Sequence, residues 1–183
     1  MKGAREIFGE VKRIHTSNEY GFIKSNSGDF YFKLKDAQNK IKENDRVRFV
    51  ANSCEERQWA TCIRKVFINR EGIQFVPRIN SSHLHDDVDY YLPELINNIE
   101  NLDGQKIIKQ VDFPGIIGES SCIPFEEDQP VTYAIRKGRV GHSRIVYGLP
   151  PVKSSSITVV LLKVENFFII LSCYIGQKSE VEP

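Results

Sequence analysis

The stretch Glu19-Tyr20-Gly21-Phe22-Ile23-Lys24-Ser25-Asn26-Ser27-Gly28-Asp29-Phe30-Tyr31-Phe32-Lys33 decides how the N-terminal third of this chain is read. Two aromatic-rich runs alternate with period two, and Ser25 to Gly28 separate them with small polar residues, the pattern of a β-hairpin. Tyr20 and Phe22 share a face of the first arm, Tyr31 and Lys33 a face of the second, and Lys12, Arg13 and Lys24 add positive charge nearby. Ile23, Phe30, Phe32, Val47 and Phe49 lie on the opposite parity and are expected in a core. A sheet face with rings for bases and cations for phosphates is the chemistry of a single-strand nucleic-acid platform.

Working outward, Gly9-Glu10-Val11-Lys12, Tyr20-Gly21-Phe22-Ile23, Asp29-Phe30-Tyr31-Phe32-Lys33, Asn44-Asp45-Arg46-Val47-Arg48-Phe49 and Ala60-Thr61-Cys62-Ile63 follow one another in an order and spacing that resemble the cold-shock domains. The resemblance covers roughly the first third of the chain. It implies a five-stranded OB-type barrel that binds single-stranded RNA or DNA, and by position it implies binding roles for Lys12, Tyr20, Phe22 and Tyr31. Arg13 stands where that family usually has an aromatic, Glu19 where it has Gly or Lys, and Lys33 where it has His. Fewer rings and more fixed charge are expected to shift binding from stacking towards phosphate contact, with a steeper salt dependence.

Composition sets the outer bounds. The 183 residues exceed what one barrel needs and suit two small domains. Net charge is +1, but residues 1–70 hold 15 basic and 9 acidic side chains, 71–110 hold 3 and 7, and 111–183 hold 7 and 8. The positive field therefore belongs to the N-terminal part. Cys54, Cys62, Cys122 and Cys173 are scattered without metal-ligand spacing, so buried free thiols in a reducing cytoplasm are expected, with no metal or other cofactor. No apolar run suits a signal peptide, and Lys163, Glu165 and Asn166 interrupt the apolar stretch Ile157–Ile175, making it a hairpin and not a membrane span.

The expected order is a barrel over 1–70, with strands near 8–15, 20–25, 29–33, 46–52 and 59–67, a linker or short extended crossing over 71–85, and an α+β domain over 86–183. Val88, Leu92, Leu95, Ile96, Ile99 and Leu102 recur at helical spacing. Pro93 is expected in the first turn of the regular helix and Gly104 at its C-terminal cap. Ile107–Phe113 reads as a strand or the end of a second helix. Val131–Ile135, Ser143–Tyr147, Ser156–Val164 and Phe167–Ile175 read as strands, completing a helix-backed antiparallel sheet.

A second cluster of functional groups lies at Arg136, Lys137, Arg139, His142, Ser143 and Arg144, with no acid among them. A solvated basic hairpin is the plain reading; Gly138 and Gly141, by allowing a tight turn, and His142, by its titration near neutral pH, argue for more. Tyr133–Val146, Ser156–Leu161 and Ser172–Gly176 resemble, in element order, the small ribonuclease toxins of the barnase, EndoU, colicin and RelE-like superfamily, which cut RNA without metal. That likeness transfers no catalytic residue by position, but it implies a cognate inhibitor or antitoxin, acidic to match the basic cleft.

The candidates come from chemistry. Metal-free cleavage to a 2′,3′-cyclic phosphate needs a proton acceptor, cations on the phosphorane and a proton donor. His142 suits the proton transfers, Arg139 and Arg144 the phosphate, and Tyr174 and Thr158, polar tips in apolar strands, secondary donation, with hydroxyls satisfied by backbone as the alternative. Tyr174 and Thr158 share a face only if the last hairpin turns through three residues, Glu165 to Phe167, and that register is expected. Two functions thus stand: an RNA-binding, metal-independent endoribonuclease, or a non-enzymatic RNA chaperone or translational regulator whose C-terminal domain binds a partner.

Overall fold

Alternation of apolar and polar side chains drives five strands into one curved sheet: β1 (Arg5–His15), β2 (Tyr20–Ser25), β3 (Gly28–Lys33), β4 (Arg46–Ser53) and β5 (Gln58–Lys65). The computed structural model describes residues 5–79, 86–120, 133–138, 141–146, 152–176 and 181–182. It divides into two units, residues 1–81 with 164–169, and 82–163 with 170–183.

In the first unit the five strands close into a barrel in the order β1-β2-β3-β5-β4, which fits the expected OB-type fold. Val11, Ile23, Phe30, Phe32, Val47, Phe49, Ala60 and Ile63 form its buried interior, and all five residues assigned inward by parity are among them. The wall is thin at Gly21, where a Cβ would sit 2.5 Å from the Phe32 ring and 2.6 Å from the Arg13 carbonyl oxygen. Only hydrogen fits there, so β2 can lie close over the core.

Residues 74–77, in the stretch read as a linker or short extended crossing, form strand β7 (Gln74–Pro77), which pairs with β6 (Phe67–Ile68). Val66 and Val76 are buried with Phe167, and Phe75 stacks on Phe168 at 5.5 Å. Burial of these side chains, at about 1.5–3 kcal/mol each, explains why a segment punctuated by Gly72 and Pro77 is ordered.

A small ionic cluster ties strands of this unit together. Arg48 Nε and Arg64 Nη2 lie 2.8 and 3.0 Å from Glu6 Oε2, Arg64 Nη1 donates to the Pro77 carbonyl at 3.0 Å, and the Arg48 guanidinium covers the Phe167 ring at 4.3 Å. Burial lowers the pKa of Arg48, Glu6 opposes that, and Arg64 adds to it.

The second unit opens with the helix α1 (Asp86–Asn97). Pro93 lies in its interior and not in its first turn, so the regular helix begins upstream of where it was expected. An interior proline costs about 3 kcal/mol. Full burial of Val88 and Leu92 on its upstream side offsets that cost at about 1.5–3 kcal/mol each. Gly104 is not the cap either: the helix ends at Asn97, and the φ of +105° at Gly104 serves a bend before the next strand.

That strand, β8 (Lys106–Asp112), is followed by β9 (Gly118–Ser120), β10 (Tyr133–Gly138), β11 (Gly141–Val146), β12 (Val152–Ser154), β13 (Ser156–Val164), β14 (Phe167–Ile175) and β15 (Val181–Glu182). Antiparallel pairs β13–β8, β12–β9 and β10–β11–β15 account for most of them, and Tyr91 of α1 meets Phe113 edge-on at 5.4 Å. Ile107–Asp112 is therefore strand, as one of its two readings had it. The connection from β13 to β14 is Glu165-Asn166, two residues and not three, with Glu165 left-handed at φ 46°. Positive φ in the first loop position matches the twist of the flanking strands, and here a glutamate adopts it against its own preference.

Candidate nucleic-acid interface

The face opposite the barrel interior is built by register. Antiparallel and parallel partners point the same way, so each cross-strand pair forms a row on one surface. His15 pairs with Tyr20 and Tyr20 with Lys33; Arg13 pairs with Phe22, Phe22 with Tyr31, and Tyr31 with Trp59 of β5; Lys24 pairs with Asp29.

A bulge in β1 makes the first of these rows possible. Val11 pairs with Ile23, but Arg13, not Lys12, pairs with Phe22, leaving Lys12 as the extra residue. Under strict alternation Arg13 and His15 would point inward with Val11. The inserted residue reverses the parity, so both join the outer face while Ile14 packs against the core.

The rings on this face touch one another. His15 stacks on Tyr20 at 4.7 Å between centroids, Tyr20 lies 5.6 Å from Tyr31 and 5.8 Å from Phe22, and Phe22 lies 6.0 Å from Tyr31. Tyr31 and Trp59 are each 37% exposed. Edge-to-face and stacked neighbours fix ring orientation before any ligand arrives, which lowers the ordering cost of stacking a base.

The cations are less free than the sequence suggests. Lys33 and Arg13 are exposed, but Lys12 Nζ is 2.9 Å from Asp29 Oδ2, an exposed ion pair that cancels one positive charge beside the rings. Beyond Tyr31 and Trp59 a groove of about 770 Å³ adds Lys35 and Arg57 to the positive rim. His15, Trp59, Lys35 and Arg57 were not singled out from sequence. The signal for Trp59 was present: it is the only tryptophan, and it alternates with Ala60, which is buried. For His15 the bulge hid it.

The candidates in the second unit are placed unevenly. Arg139 lies outside the described residues. His142 and Arg144 are placed by backbone only, His142 paired with Lys137 and Glu182 and Arg144 with Ile135. Thr158 is fully buried, and its hydroxyl donates to the Gly176 carbonyl at 2.8 Å, the backbone-satisfied arrangement. Tyr174 is half-buried in β14. Among the described residues no group of three or more His, Cys, Asp or Glu is arranged to hold a metal, and no helix is long and apolar enough to cross a membrane. Of the thiols, Cys173 is buried and Cys62 half-buried, whereas Cys54 is exposed, contrary to the expectation of buried cysteines, because it lies in the turn between β4 and β5.

No protein-family model matches the chain, and no curated protein matches it. Among solved structures it is similar to Drosophila Unr CSD456, with 12% identity and a TM-score of 0.30, over 96% of this chain and 64% of that one. The chain thus spans less than two thirds of the length of that structure.

Proposed function

We propose that the first unit binds single-stranded RNA, and single-stranded DNA by the same stacking, on the face formed by Tyr20, Phe22, Tyr31, Arg13 and Lys33. One observation supports this above the others: four rings, His15 included, stand in mutual contact on the outer side of a barrel whose interior is already filled. A core explanation is not open to them. Bases stack on such rings at ~1–3 kcal/mol each, whatever their identity.

The test is fluorescence anisotropy of a labelled oligouridylate titrated with the full chain. The full chain is used because Phe167 packs within the first unit, edge-on to Phe8 at 5.7 Å. Tyr20→Ala and Phe22→Ala should each weaken binding about tenfold, and duplex RNA should compete poorly. Unchanged affinity in both variants, with folding intact, removes the proposal.

Cleavage by the second unit is a separate reading. What favours it is the β10–β11 register, which sets Lys137 directly opposite His142 on a strand that also carries Arg144. The same RNA samples test it: products with 2′,3′-cyclic phosphate ends, formed in EDTA and lost in His142→Ala with Arg144→Ala, support it. Intact RNA across substrate classes leaves a non-enzymatic RNA-binding protein. An acidic inhibitor or antitoxin belongs to the cleavage reading and falls with it.

A further inference from the structure

The seam that closes the barrel between β3 and β5 is sparsely paired, and its chemistry differs from the rest of the barrel wall. Strand pairing there consists of Tyr31 with Trp59, and the next bridge is Ala37 with Ile63. Between the two points the chain leaves the sheet in a short 3-10 turn, Leu34–Asp36. The divergence leaves the groove of about 770 Å³, within the range of sites that hold small organic ligands, ~300–1,000 Å³.

We propose that this groove is a further nucleotide subsite, in which one base of a bound single strand stacks on Trp59 and its phosphate is held by Lys35 and Arg57. The inference rests on the proposed single-strand binding and extends it past the ring face. Three features select this occupant. Trp59 continues the row Arg13, Phe22, Tyr31, so a strand crossing that row arrives at the groove without turning. Three cations, Lys33, Lys35 and Arg57, line it against one carboxylate, Asp36, which suits an anionic ligand. Trp59 is 37% exposed and lines the groove, so it has ring surface to offer a base.

Because Trp59 is the only tryptophan, the protein reports on this subsite by its own emission. The full chain is titrated with oligouridylates lengthened one nucleotide at a time, with anisotropy and tryptophan emission read on the same samples. Emission should be quenched saturably, with the dissociation constant found by anisotropy. The lengthening step that reaches the groove should bring a gain of about tenfold in affinity, absent in Trp59→Ala and largely kept in Trp59→Phe. Bound RNA long enough to fill the groove should also slow alkylation of Cys54, an exposed free cysteine that lines the groove, and shorter RNA should not. Binding by anisotropy with wild-type length dependence in Trp59→Ala, or with no protection of Cys54, overturns the subsite and leaves the ring face standing. Absence of any binding by anisotropy overturns the ring face itself. If Trp59→Ala fails to fold, the alkylation result on the wild-type chain decides.

Discussion

Replacing Asp29 with asparagine should tighten nucleic-acid binding while barely altering the fold. Lys12 and Asp29 are 57% and 47% exposed at 2.9 Å, so solvent screening limits their pair to about 0–1 kcal/mol of stability. The urea midpoint should therefore move little. Binding is another matter, because the carboxylate neutralises a cation that stands beside Phe22 and Tyr31 and repels phosphate on its own account. Each phosphate neutralised on a single strand steepens the slope of log K against log salt by ~0.7, so freeing one lysine should steepen it by about that amount. Across a tenfold drop in salt this amounts to an extra gain of about fivefold in affinity. The assay is anisotropy of a labelled oligouridylate over a salt series for wild type, Asp29→Asn, Lys12→Ala and the double variant. Lys12→Ala should change the slope little in the wild type but lower it by ~0.7 when Asp29→Asn is already present. The reasoning is refuted by an Asp29→Asn slope equal to that of wild type. It is equally refuted by a full loss of slope in Lys12→Ala alone, since that lysine would then be serving phosphate already.

Other expectations concern stability. Glu6→Gln should cost about 2–3 kcal/mol in urea unfolding, below the ~3–5 kcal/mol of a fully buried pair because Glu6 is 29% exposed, while Arg64 at 2% would be left uncompensated. Adding Arg64→Met to it should recover part of that loss, and strict additivity would refute the coupling. Gly21→Ala should cost about 1–3 kcal/mol, because its Cβ would meet the Phe32 ring and the Arg13 carbonyl; a wild-type thermal midpoint would show that the wall yields. Asp112 gives the pH dependence: hydrogen bonds from Ser156 and then Gln110 hold its carboxyl below the usual value. A depressed folded pKa stabilises above the unfolded value, ~3.9, and that contribution is lost as pH falls through the folded pKa. The stability advantage of wild type over Asp112→Asn should therefore shrink on acidification, and a constant difference would contradict it.

What the sequence determined by itself is whatever depends on neighbours along the chain. Period-two alternation over Glu19–Lys33 was enough to separate Tyr20, Phe22 and Tyr31 from Ile23, Phe30 and Phe32, because side-chain direction in a strand is set residue by residue. The five barrel strands were legible for the same reason, within a few residues at their ends. What required the tertiary structure was every property set by a partner distant in sequence. The bulge at Lys12 exists only against β2, and it alone brings Arg13 and His15 to the ring face. Trp59 joins that face because β5 lies parallel to β3, a pairing no local pattern encodes. Lys12 is paired with Asp29, 17 residues away in sequence. In α1 the sequence weighed the local cost of Pro93 correctly, but it could not weigh the burial of Val88 and Leu92 that exceeds it. The β13–β14 connection hung on a single residue: Phe167, the third residue of the longer loop, instead opens β14 and packs against Phe8 and Arg48. Local sterics act through covalent neighbours and can be read in one dimension; packing and Coulomb energies act through space, and only the fold says which residues are near.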